Sequence, residues 1–152
     1  MIVHTQQFEF SAAHRLHCDQ FSDEENRRRF GKCNNPSGHG HNYVVEVSIV
    51  SNNGAGEGTV IDTTGTEFDL ETFQATVNRC IIERLDHKHL NRDIKRFQTI
   101  NPTVENIAIA IWEWLEPELS GARLHTVRVY ETPKTWAEYR GKTAEGLQGN
   151  AS

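Results

Sequence analysis

The sequence predicts an α+β fold: an antiparallel four-stranded sheet carrying two helices on one face. Several segments are β-branched and partly alternating, two others place apolar residues at helical spacing, and no internal repeat or low-complexity block interrupts them. Val3 to Phe10 sets Phe8 and Phe10 against polar neighbours and reads as the first strand. Asp23 to Phe30 reads as a short polar helix, because Glu24/Arg28 and Glu25/Arg29 are spaced for pairing along one face. Asn42 to Val50 is the next strand, Ser51 to Gly58 a long hairpin tip, and Thr59 to Thr63 its return. From Asp69, a plausible N-cap, Leu70, Phe73, Val77, Ile81 and Leu85 form one apolar stripe. A second helix follows Pro102 with Thr103 as N-cap, buries Val104, Ile107, Ala108, Ile111 and Leu115, and stops at Pro117. Leu124 to Tyr130 and Thr135 to Tyr139 are further strands around Thr132-Pro133-Lys134. So few strands cannot close a barrel, for which roughly eight is a small case. Open edges therefore remain, and subunits are expected to join edge to edge, which hides those edges and creates interfaces where a site could lie.

The 152 residues suit one domain spanning 1–152, with a flexible tail expected from about residue 141. Basic residues number 16 and acidic ones 21, a net charge of −5 that argues against a nucleic-acid or membrane partner. Arg27, Arg28, Arg29 and Lys32 are the local exception. No apolar run reaches the roughly 18 residues that spanning a bilayer requires, and no basic flank precedes an apolar stretch at the start. A soluble, unsecreted, cytoplasmic protein is expected. Cys18, Cys33 and Cys80 are odd in number and widely spaced, which makes a disulfide framework improbable. Cys80 falls among the apolar residues of a helix and reads as core.

The unusual figure is 8 histidines. His39-Gly40-His41 opens a strand, and side chains two apart point to the same side, so both imidazoles can reach one metal ion. Two hydrogen-bonding surface histidines would give the same pattern. His14, at the end of the first strand, is the best third donor if the two strands pair antiparallel; His17 is expected to turn outward. Three neutral imidazoles suit zinc and leave a position open for substrate or water. Cys33 lies in a Gly-, Asn- and Pro-rich loop entering the metal strand, placed to be a fourth ligand or a proton-transfer group. Near zinc or Lys32 its pKa is expected to fall from about 8.5. Asp86-His87 follows the long helix; the histidine suits acid–base work if the carboxylate orients it, and helix-end capping is the plain alternative. Glu131 closes a strand, where a carboxylate can accept two hydrogen bonds from an amino-pyrimidinone edge or simply be exposed. Glu105, in the first turn of the last helix, is a substrate-binding candidate that the helix dipole explains more easily.

Phe10-Ser11-Ala12-Ala13-His14-Arg15-Leu16, the long segment from Phe30 to Tyr43, Leu85 to Leu90, Pro102 to Asn106 and Val129 to Thr132 occur together and in order. In these motifs the chain resembles the 6-pyruvoyl-tetrahydropterin synthase family of the tunnelling fold, over roughly residues 8 to 140. The resemblance implies zinc on His14, His39 and His41, a catalytic cysteine at Cys33 and a catalytic pair at Asp86 and His87. It also implies pterin contacts at Glu131 and Thr103, and a homohexamer of two stacked trimers whose sheets form a barrel, with active sites between subunits. The implied reaction converts 7,8-dihydroneopterin triphosphate into 6-pyruvoyltetrahydropterin with loss of triphosphate. A sister branch, 6-carboxytetrahydropterin synthase of queuosine and 7-deazaguanine biosynthesis, uses the same groups and substrate; the Cys33 to His39 interval favours the pyruvoyl branch. A zinc-containing pterin-binding oligomer without catalysis is a third reading. Val104, where animal members often carry threonine, and the long hairpin at 51–58 depart from the family pattern.

Overall fold

The structure, a computed structural model, describes residues 2–51 and 68–142. The expected return strand at 59–63, most of the hairpin tip and nearly all of the expected tail lie outside them. Five strands form one sheet: β1 (His4–His14), β2 (His39–Ser51), β3 (Lys88–His89), β4 (Ala122–Thr132) and β5 (Thr135–Tyr139), in the order β3-β1-β2-β4-β5. β1, β2, β4 and β5 pair antiparallel, as alternation along them predicts. β3 runs parallel to β1, pairing Ala12 with Lys88 and Ala13 with His89. The sheet is therefore mixed and five-stranded, not the antiparallel four-stranded one expected. A two-residue strand has no period to read; it is fastened by the His87 N–H donating to the Ser11 carbonyl at 2.6 Å.

Helix α1 (Asp23–Phe30) is capped by Ser22, whose hydroxyl accepts from Glu25 N at 3.1 Å. Glu25 alone takes both Arg28 and Arg29, in place of the two separate pairs that spacing suggested, and the guanidinium groups hold its carboxyl down to about 2. Helix α2 (Leu70–Val77), capped by Asp69, continues through a π-helical turn, Asn78–Ile82, into α3 (Glu83–Leu85). The expected apolar stripe survives that change of pitch: Phe73, Val77, Ile81 and Leu85 are all buried. After β3 come the short α4 (Leu90–Asp93) and then α5 (Val104–Leu115), with Thr103 as N-cap and Pro117 in the 3-10 turn beyond its end.

One face of the sheet packs on α2 and α5. Phe10, Tyr43, Val45, Val47, Val127 and Val129 meet Ile81, Ile107, Ile111 and Leu115 there. The other face carries polar pairs, Thr5 with Ser48 at 2.7 Å, Gln7 with Glu46 at 3.2 Å and Arg128 with Glu138 at 2.7 Å. The consequence is a rigid platform whose core-facing strand ends, at His14, His41 and Glu131, lie together. Replacing the fully buried Leu115 by alanine is expected to lower unfolding stability by about 2–5 kcal/mol, because deleted methyl groups leave a cavity in a close-packed core. Urea unfolding of Leu115→Ala checks this.

Candidate active site and metal centre

Pairing of β1 with β2 sets His14 opposite His39, so the end of one strand and the start of the next deliver three imidazoles to one corner. His14 is fully buried, and its Nδ1 donates to the Pro102 carbonyl at 2.8 Å. That bond fixes the tautomer and leaves Nε2 with a free lone pair. The Nε2 atoms of His14 and His41 face each other at 3.1 Å. Cys33 Sγ stands 3.6 Å from His41 Nε2 and 4.0 Å from a Glu131 oxygen, which itself lies 3.4 Å from His41 Nε2. The four donor atoms of His14, Cys33, His41 and Glu131 lie within 4.8 Å of one another. His39 flanks this group, its ring centroid 4.7 Å from that of His41, but its nitrogens fall outside the tight set.

Electrostatics suit the group to a metal ion. Burial lowers the His14 pKa, and burial with the neighbouring His14 and His39 lowers that of His41 to about 4. Both rings are then neutral near pH 7, as ligation demands. Two imidazole nitrogens, a sulfur and a carboxylate oxygen form a borderline-soft donor set of the kind that binds transition-metal ions. Cys33 departs from expectation. Burial first, and the Glu131 carboxylate second, push its thiol above the ordinary range, and Lys32 is not among the groups acting on it. The Tyr43 hydroxyl, 3.2 Å from His14 Nδ1, is likewise pushed up by burial.

Residues 15–18 leave the sheet beside this site, and their backbone groups are taken up by asparagine side chains that sequence patterning did not single out. Asn91 Oδ1 accepts from Arg15 N at 2.7 Å while its Nδ2 donates to Arg15 O at 2.9 Å. Asn101 does the same for His17, at 3.2 and 2.9 Å, and the buried Asn26 for Cys18, at 2.8 and 2.9 Å. Leu16 N donates to the Cys33 carbonyl at 2.7 Å and Leu16 O accepts from Asn34 Nδ2 at 2.8 Å, tying the cysteine loop to the same segment. An asparagine can replace a strand partner because its amide presents both a donor and an acceptor. Asparagine in irregular segments otherwise reads only as a turn former.

Asp86 and His87 form a bonded pair, with Asp86 Oδ2 2.8 Å from His87 Nδ1. The Ser11 N–H donates to Asp86 Oδ1 at 2.9 Å and is the main cause of the lowered Asp86 pKa. His87 adopts φ 58°, leaving the helix instead of capping it, and its side chain is 83% exposed. It lines a cavity of about 480 Å³ with His41, Ser11, Asn42 and His89. Thr103 spends its hydroxyl on the α5 cap, accepting from Asn106 N at 3.3 Å, and Glu105 is exposed one residue beyond the helix start. His17 stays outside the donor cluster, its Nε2 3.3 Å from Asp19, and Cys80 is buried in the core. Gly38, at φ +87°, admits no side chain: an added Cβ would meet His89 Nε2 at 2.7 Å and the His14 carbonyl at 3.1 Å.

The family model for 6-pyruvoyl tetrahydropterin synthase matches residues 4–142. The chain belongs to this family. A human protein named 6-pyruvoyl tetrahydrobiopterin synthase is 41% identical to it over 133 residues, covering 88% of this chain and 87% of that one. The structure of Caenorhabditis elegans 6-pyruvoyl tetrahydropterin synthase matches with a TM-score of 0.76 and 38% identity, over 93% of this chain and 96% of that one. A Rickettsia conorii protein named 6-carboxy-5,6,7,8-tetrahydropterin synthase is 29% identical over 150 residues, covering 91% of this chain and 99% of that one. Among the described residues no helix is long and apolar enough to cross a membrane.

Two expectations follow from the site. His41 is held near 4 against 6.5 when unfolded, so the unfolded chain binds the extra proton between these values. Stability contributed by the neutral ring is complete above pH 6.5 and is lost as pH falls from 6.5 towards 4, which urea midpoints across that range will show as a decline. Asn101→Ala removes both hydrogen bonds to the His17 backbone and is expected to cost about 1–3 kcal/mol. Its metal affinity should fall too, since Pro102, the anchor of His14, is the next residue.

Proposed function

We propose that this protein is a zinc-dependent carbon–oxygen lyase converting 7,8-dihydroneopterin triphosphate into 6-pyruvoyltetrahydropterin and inorganic triphosphate. The observation that carries the reading is the Cys33 thiol set within reach of both His41 and Glu131, in a chain 41% identical to a relative named for that synthesis. His14, His39 and His41 are the proposed zinc ligands; the geometry of Cys33 and Glu131 suits them to work against the same face. Zinc, when bound, supplies Lewis acidity that makes C–H bonds next to the substrate's side-chain oxygens easier to break.

Glu131 accepts hydrogen bonds from the amino-pyrimidinone edge of the pterin, and Thr103 and Glu105 lie at the start of α5 as further pterin contacts. Donation into Glu131 spreads its charge and relaxes the smaller of the two effects that hold the Cys33 thiol protonated, burial being the larger; the thiol proton passes to solvent, and the thiolate, which zinc held by the neighbouring imidazoles would favour, removes a proton from the substrate's side chain. His87, oriented through Nδ1 by Asp86, exchanges protons elsewhere on the substrate. Electrons move from side chain to ring, and no nicotinamide is needed. Open sheet edges and the resemblance together support a homohexamer of two trimers whose sheets close a barrel, built from one domain per chain and working in the cytoplasm.

The second reading is the 6-carboxytetrahydropterin reaction on the same substrate, favoured by the Rickettsia relative. Incubating zinc-loaded protein with 7,8-dihydroneopterin triphosphate and identifying products by mass spectrometry separates the two. Pyruvoyltetrahydropterin with triphosphate is expected; acetaldehyde with carboxytetrahydropterin would establish the sister reaction, and intact bound substrate a pterin-binding oligomer. Cys33→Ala should lower kcat by roughly 10²–10⁴-fold, the usual worth of a proton-transfer group, with metal content measured alongside. Full turnover by that variant would remove Cys33 from the chemistry.

A further inference from the structure

Most arginines of this chain already have partners. Arg28, Arg29, Arg79, Arg96, Arg128 and Arg140 each meet a carboxylate, and Arg84 lies over the Trp114 ring. Among the described residues Arg15, Arg27, Arg92 and Arg123 have neither kind of partner, and three of these four border one groove. A cavity of about 390 Å³ is walled by Arg15 and Arg92, and one of about 320 Å³ by Arg15 and Arg27. The two share Arg15 and Pro36, so they adjoin at the side of the cysteine loop and together form the groove. Asp19 and Asp23 are the carboxylates on its walls, and Asp19 lies against His17 Nε2.

The groove begins beside the donor cluster. Arg15 follows His14 directly, and its Nε donates to the Asn34 carbonyl at 3.2 Å, one residue beyond Cys33. That single bond leaves the rest of its guanidinium for a ligand. His89 walls both the groove and the cavity bordered by His41 and His87, and neither of its buried ring nitrogens has a hydrogen-bond partner. Three guanidinium groups around one concavity repel one another unless a polyanion lies among them, and the guanidinium fork matches phosphate oxygens bidentately. We propose that this groove seats the triphosphate of the substrate, running past His89 to Arg15, Arg92 and Arg27, and that it also holds free triphosphate after elimination. The assignment rests on the pterin triphosphate reading and adds to it the residues that select a phosphorylated substrate.

The test uses zinc-loaded protein and the exposed Arg27→Gln and Arg92→Gln, singly and together. Inorganic tripolyphosphate is titrated calorimetrically, and KM for 7,8-dihydroneopterin triphosphate is measured in parallel. Each substitution is expected to weaken tripolyphosphate binding about tenfold, the worth of one charge-assisted contact, and to raise KM in step. Binding of 7,8-dihydroneopterin, the same pterin without phosphates, should change by less than about twofold. Tripolyphosphate binding and KM both unchanged in the double variant, while the parent turns over, would overturn the groove and leave the reaction standing. Arginine-dependent tripolyphosphate binding by a parent that never converts the pterin would uphold the groove and overturn the reaction.

Discussion

Four residues that belong to no regular element hold the site together. Beyond His14 the chain leaves the sheet, and the backbone groups of Arg15 to Cys18 would be stranded in a half-buried crevice. Unpaired, each would cost about 1–3 kcal/mol. Asparagine side chains from α1, the cysteine loop, α4 and the stretch before α5 supply the missing bonds. Because each clamp comes from a different part of the chain, satisfying this short segment also gathers those parts around it. Cys33 and Pro102 reach their places as a result.

Charge distribution at the strand ends then follows from burial. Two imidazoles kept neutral and a thiol raised by burial first and the Glu131 carboxylate second describe a protein environment that favours the protonated thiol. The protein alone disfavours the thiolate. A ligand that draws on the Glu131 charge, or a cation among the donors, works against that bias, which couples occupancy to reactivity through electrostatics.

Much of this was legible in the sequence, and what was not has definable reasons. Alternation located β1, β2, β4 and β5, and the stripe from Leu70 to Leu85 and the capping threonine before Val104 located the long helices. β3 was missed because two residues carry no period, and the π-helical turn because Ile81 and Leu85 stay on the buried side across it. His14, Cys33 and His41 could be singled out from spacing and strand pairing. Glu131 was read as facing substrate; that it also stands beside Cys33 depends on the register of β4 against β2, which no local pattern reports. The asparagine clamps escape sequence patterning because a residue that completes a distant backbone looks, in sequence, like any polar residue of a loop or a surface helix.

Gly38 has a mechanical consequence. With no side chain it lets the backbone entering β2 rest directly on the His89 ring and the His14 carbonyl. The chain running from the Cys33 loop into β2 therefore packs against the His89 side chain, two residues beyond His87, with no side chain of its own between them. A larger residue at position 38 would have to displace that ring or the end of β1, so the separation between the two halves of the site is set at this one position.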